Sequence, residues 1–107
     1  MTFLINANTI NKTMRFTFDP KKNVANIAKH GVSLADAPLV FNAPDKLTLE
    51  SPRDDETRLM DVALVEVSGV VLVLVYVLRA PNEARSISLR RASKQERNLY
   101  ANWQETH

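Results

Sequence analysis

The run Arg85-Ser86-Ile87-Ser88-Leu89-Arg90-Arg91-Ala92-Ser93-Lys94-Gln95-Glu96-Arg97 gathers five cations, three hydroxyls and one carboxylate within thirteen residues. Guanidinium groups present paired N–H donors that match phosphate oxygens, and serine hydroxyls add donors of adjustable direction. Ile87 and Leu89 alternate with Ser86, Ser88 and Arg90, which predicts a half-polar strand. Ser93 followed by Glu96 is a capping box, so a helix is expected to begin there. A strand that delivers hydroxyls and arginines to the positive end of a helix is suited to holding a phosphate.

Other chemistries find little support. There is no Gly-rich phosphate loop, no HExxH and no GxSxG, and Gly31 and Gly69 are the only glycines. The chain has no cysteine, and its two histidines, His30 and His107, stand far apart, so neither thiolate chemistry nor a metal site is expected, nor any cofactor. What remains is side-chain work by Arg, Lys, His, Tyr and carboxylates. Metal-independent RNA cleavage is compatible with that set. The RNA 2′-hydroxyl supplies the nucleophile, and the protein needs only a base, an acid and cations on the phosphorane charge. His30 is then a candidate acid or base, or it merely caps carbonyls at a helix C-terminus, where the dipole favours its protonated form. Glu96 serves the capping box or a proton transfer. Tyr100 and Trp103 pack in the core or stack on bases.

The elements that must position these groups can be read along the chain. Residues 1–13 form an extension, polar and rich in Asn and Thr, expected to be disordered or to lie ahead of a true start at Met14; residues 14–107 are read as one domain. Arg15–Phe18 reads as a short strand. Asp19-Pro20 opens a helix that runs to Lys29 or His30, with Val24, Ile27 and Ala28 as its apolar stripe and Gly31 closing it. Ser33 with Asp36 opens a short helix through Phe41, with a kink or an early end expected at Pro38. Asp45–Glu50 suits an edge strand, and Ser51–Thr57 a loop.

Arg58–Val67 and Val70–Arg79 predict a hairpin turning at Ser68-Gly69. That register sets Arg58 opposite Arg79, with Arg85 beside them on the next strand. Like charges so opposed need an anion, or carboxylates folded back from Asp54, Asp55 or Glu56. Strict alternation puts Leu89 with Val73 and Val75, and puts Ser88 and Arg90 with Asp61 and Tyr76. Arg90 then pairs with Asp61 or faces an anionic ligand. Leu99, Tyr100 and Trp103 line one side of the last helix.

Net charge is +2, but its distribution is uneven: residues 1–32 carry five cations and one anion, 33–78 three and eight, and 79–107 six and three. Two basic ends around an acidic middle fit a polyanion on one surface and a charged protein partner on another. The longest apolar run, Val70–Leu78, is about half of what a bilayer-spanning helix needs, and no signal-peptide pattern opens the chain, so a cytoplasmic protein without membrane contact is expected.

Phe18-Asp19-Pro20, Asn26-Ile27-Ala28-Lys29-His30-Gly31-Val32 and Ala37–Phe41 resemble the opening of the BrnT toxins. Arg58, Tyr76, Arg79 and the run Arg85–Arg97 resemble the remainder, so the likeness covers roughly residues 14–100. Phe18 stands where that family usually has tryptophan, Leu89 where a small residue is usual, and Ala63 near a usual glycine. The resemblance implies an α+β, RelE-like ribonuclease fold, with an antiparallel sheet of three or four strands, two N-terminal helices and a C-terminal helix. It implies a type II toxin that cleaves RNA and inhibits translation. It also implies neutralisation by a BrnA-like ribbon-helix-helix antitoxin, which alone brings the complex to promoter DNA. By position, Arg58, Arg79 and Arg90 become active-site cations with His30 and Glu96 assisting, while Arg85, Ser88, Arg91 and Lys94 follow the RNA backbone. The alternative is an inactive toxin derivative kept as partner or corepressor of a DNA-binding antitoxin.

Overall fold

The computed structural model describes residues 14–53 and 56–106; the expected extension 1–13 and the loop carboxylates Asp54 and Asp55 lie outside them, as does the side chain of Glu56. Strand β1 (Arg15–Thr17) leads to helix α1 (Pro20–His30). Asp19 caps that helix by accepting from the Lys21 N–H at 2.9 Å, Pro20 occupies the first turn, and Gly31 ends it at φ 73°. A 3₁₀ turn (Leu34–Asp36), capped by Ser33, precedes α2 (Ala37–Phe41), so the break expected at Pro38 is a change of helix type just before it. Then follow β2 (Leu47–Arg53), β3 (Glu56–Val65), β4 (Val70–Ala80), β5 (Glu83–Arg91) and α3 (Lys94–Glu105). The segment read as a loop, Ser51–Thr57, is therefore largely strand. No described helix is long and apolar enough to cross a membrane.

The sheet holds five strands in the order β1-β5-β4-β3-β2, more than the three or four expected. It is mixed, because β1 runs parallel to β5 while the other pairs are antiparallel. β4, apolar along most of its length, lies at its centre.

Two corrections of register decide where side chains point. The β3–β4 ladder ends at Val65 opposite Val70, leaving a four-residue loop, Glu66–Gly69, in place of the expected two-residue turn. A two-residue type I′ turn needs positive φ at both central positions, and Ser68 resists it. Here Gly69 takes positive φ, 68°, and the Ser68 and Gly69 N–H groups both donate to the Val65 carbonyl. One step beyond the Leu59–Tyr76 pair, Arg58 therefore faces Val77 and not Arg79.

The second correction is a bulge in β5. Val75 pairs with Ser88 but Tyr76 pairs with Ser86, so Ile87 is an extra residue. It reverses the alternation: Leu89 joins Leu74 and Asp61 on one face, while Ser88 and Arg90 join Val75 and Val73 on the other.

The first face is covered by Leu34, Ala37 and Val40, which pack on Ala63, Val65, Leu72, Leu74, Tyr76, Ala84 and Leu89. Phe41 stands edge-on to both Phe16 and Tyr76, with centroids 5.2 and 5.5 Å away. The fully buried Asp61 accepts from Lys46 Nζ at 2.8 Å and Thr48 Oγ1 at 2.7 Å, and Lys46 also sits 3.9 Å over the Phe41 ring. The Asp61–Arg90 pair considered from sequence does not form, because the two residues occupy opposite faces. On the second face α3 lays Tyr100 and Trp103 on Val62, Val73 and Ala92. Tyr100 Oη donates to the Asp45 carbonyl and accepts from the Leu64 N–H. Its partner in the expected apolar stripe, Leu99, is exposed.

Helix α1 inverts expectation. Val24 and Ile27 are 69% and 45% exposed, and the residue it buries is Asn26. β1 is short, so β5 beyond Arg85 has an uncovered edge, and α1 lies along it. There the Asn26 side chain donates to the Leu89 carbonyl at 2.8 Å and accepts from the Leu89 N–H at 3.2 Å, as a neighbouring strand would. Leaving both backbone groups buried and unpaired would cost about 1–3 kcal/mol each, which outweighs burying a few methyls.

Candidate functional site

α3 covers only part of its face of the sheet, and the candidate cations occupy the part it leaves open. At the boundary stands Arg90, whose Nη1 and Nη2 donate to Glu96 Oε1 and Oε2 at 2.7 and 2.9 Å. Glu96 is the third residue of α3, and its Oε1 also accepts from the Ser93 N–H at 2.8 Å, while Ser93 Oγ accepts from the Glu96 N–H. The capping box thus aims the carboxylate at Arg90. The Arg90 guanidinium holds the Glu96 carboxyl down at about 2, and the same bond raises Arg90 above the ordinary arginine value. The carboxylate is thus ionised near neutral pH and holds Arg90 by two hydrogen bonds. Arg90 also gives one Nη1–H to the Arg91 carbonyl at 3.3 Å, which leaves Nε–H and one Nη2–H for a ligand.

Along β5 from Arg90, on the same face, come Ser88 and, past the bulge, Arg85. Arg85 pairs with Val77 across the ladder, and Arg58 flanks Val77 from the other side, so two half-buried arginines bracket one buried valine. Arg79 is exposed two residues farther along β4, beside a second irregularity at the β4–β5 turn. The three arginines expected at one end of the sheet do share that end, in a staggered arrangement and not as directly opposed pairs.

His30 ends α1 over the neighbouring edge, where Lys22, Asn26, Lys29 and Ser88 surround a shallow notch. Burial, then the charges of Lys29 and Arg90, lower its pKa from 6.5. The helix dipole, expected to favour the charged form, is outweighed, and the neutral imidazole is favoured.

The fold thus brings together His30, Ser88, Arg90 and Glu96, with Arg85 and Arg58 on the same surface. It does not bring Arg91 to them: Arg91 aligns with Leu72 and Ala63 on the opposite face and lines a separate cavity with Asp36, Leu39 and Val67. Lys94 is exposed in the first turn of α3, and Trp103 stacks on Tyr100, 6.0 Å between centroids. Lys22 and Lys29 escaped the reading from sequence. Their seven-residue spacing around Asn26 puts all three on one side of the helix, but the apolar residues Val24, Ile27 and Ala28 mark the other side as the inner one. Among the described residues no group of three His, Cys, Asp or Glu side chains is arranged to hold a metal ion.

Residues 18–96 match the family described as ribonuclease toxin, BrnT, of type II toxin–antitoxin systems. The structure is similar to the crystal structure of the ribonuclease toxin BrnT of Brucella abortus, with a TM-score of 0.60 and 24% identity over 76% of this chain and 99% of that one. No curated protein matches.

Proposed function

The chain belongs to the BrnT family of ribonuclease toxins from type II toxin–antitoxin systems, and from that premise we propose that it is an active endoribonuclease that works without a metal. Neutral His30 accepts the proton of an RNA 2′-hydroxyl, and that oxygen attacks the adjacent phosphorus. The P–O5′ bond breaks, leaving a 2′,3′-cyclic phosphate and a 5′-hydroxyl that takes its proton from solvent. Arg90 stabilises the phosphorane through its remaining N–H donors, held in place by Glu96. Arg58, Arg79 and Arg85 hold the backbone on one side, with Ser88 donating to a phosphate oxygen and Lys94 adding charge at the start of α3.

The observation that carries this reading is the pairing of a positioned arginine with a histidine biased toward its neutral form at the same opening. Cytoplasmic action, loss of translation, neutralisation by a BrnA-like antitoxin and promoter binding through that antitoxin all follow from the same reading. In vitro, the purified protein is expected to cut RNA in the presence of EDTA and to leave cyclic phosphate ends, with Arg90→Ala at least about a hundredfold slower. Cleavage that stops with chelator contradicts the metal-free mechanism. Intact RNA and normal growth on expression, unchanged by Arg90→Ala, would instead establish a non-enzymatic partner of the antitoxin.

A further inference from the structure

The notch of about 210 Å³ between α1 and β5 is lined by Lys22, Ala25, Asn26, Lys29, His30 and Ser88. At 3.6 residues per turn, Lys22, Ala25, Asn26 and Lys29 fall within a sector of about 100° on α1. That sector faces β5, because Asn26 at one edge of it is bonded to Leu89 and Ser88 lines the same notch. The usual arrangement of an amphipathic helix is reversed: Lys22 and Lys29 overhang the sheet edge, while Val24 and Ile27 face away. Among the described residues neither lysine has a carboxylate within ion-pair distance. Two ammonium groups without a carboxylate partner among the described residues thus share the notch with Ser88, which lies two residues from Arg90 on the same face of β5, and an anion between them is attracted by both. The His30 imidazole, lowered first by burial and then by the charges of Lys29 and Arg90, adds no positive charge of its own near neutral pH.

We infer that this notch is a phosphate subsite for RNA, in which Lys22 and Lys29 hold the backbone phosphate next to the one that Arg90 grips. The subsite rests on the ribonuclease reading. It extends the nucleic-acid path off the sheet and onto α1, and Ser88 lies at the crossing point. Because Asn26 locks the helix to the strand, the spacing between the two phosphate positions is fixed before RNA arrives.

The test uses a single-stranded 2′-O-methyl RNA oligonucleotide, which binds but lacks the nucleophile for cleavage, and follows affinity by fluorescence anisotropy over a range of salt. Lys22→Gln and Lys29→Gln each remove one charge and keep good helix propensity. Each is expected to weaken binding roughly three- to tenfold and to reduce the slope of log K against log salt by about 0.7. Lys21→Gln removes the same charge from the outer side of α1 and is expected to change neither. If all three variants bind alike, or the wild type does not bind, the subsite is overturned. Lysine-dependent binding by a protein that cleaves no unmodified RNA keeps the subsite and refutes the ribonuclease reading. Cleavage with no dependence on the two lysines does the reverse.

Discussion

At Glu96 two demands fall on one carboxylate: it closes the start of α3 through the Ser93 N–H and it holds both Nη atoms of Arg90. Its folded-state pKa, about 2, lies below the ordinary 4.5, so folding favours the ionised form. The stability this contributes is fully present above pH 4.5 and is lost as pH falls toward 2. Glu96→Gln should therefore remove part of the acid dependence of the urea midpoint in that window while lowering stability at neutral pH. A parallel loss in both proteins would mean that other carboxylates control it. His30 has the opposite chemistry and a different readout. Its pKa lies below 6.5, so the cleavage rate should stay level near neutrality and fall below that value as the imidazole gains its proton. His30→Gln should be slow and should lack this limb; a variant that keeps the limb would assign it to another group.

Between α1 and β5, packing is decided by hydrogen bonding and not by apolar area. Asn26→Leu buries more carbon yet leaves the Leu89 N–H and C=O unpaired, so it is expected to cost about 2–4 kcal/mol in urea unfolding. Val24→Ser and Ile27→Ser, on the exposed side, should each stay within about 0.5 kcal/mol. This contrast also explains what the sequence could disclose. Asp19-Pro20, Gly31 and the Ser93–Glu96 box are local signals, satisfied within one turn, and each marks its helix end as expected. The inward face of α1 is not local: it depends on a strand edge 63 residues away. The hairpin register depended on whether Ser68 would accept positive φ, and the sidedness of Arg90 on a single inserted residue, Ile87. Neither leaves a mark in hydrophobic periodicity. Arg90, Ser88 and His30 were therefore identifiable by type, but the pairing of Arg90 with Glu96 and the place of Lys22 and Lys29 emerged only from the fold.

Across the whole molecule the two sides of the sheet are put to different uses. One is closed by the 3₁₀ turn, α2 and a group of aromatic rings, and it buries the charge of Asp61 under Lys46 and Thr48. The other is half closed by α3 and leaves a basic strip open. β5 contributes to both, and Ile87 divides the contributions. The extra residue works like a leap day: it absorbs the step by which the sequence would otherwise fall out of phase with the sheet. Deleting Ile87 leaves Ser86 opposite Tyr76 and Ser88 opposite Val75 in an unbroken ladder, so Leu89 stays on the closed side and Arg90 on the open one. RNA cleavage is therefore expected to survive that deletion and to vanish when Arg90→Ala is added to it. Loss of cleavage on the deletion alone would show that the bulge itself shapes the site.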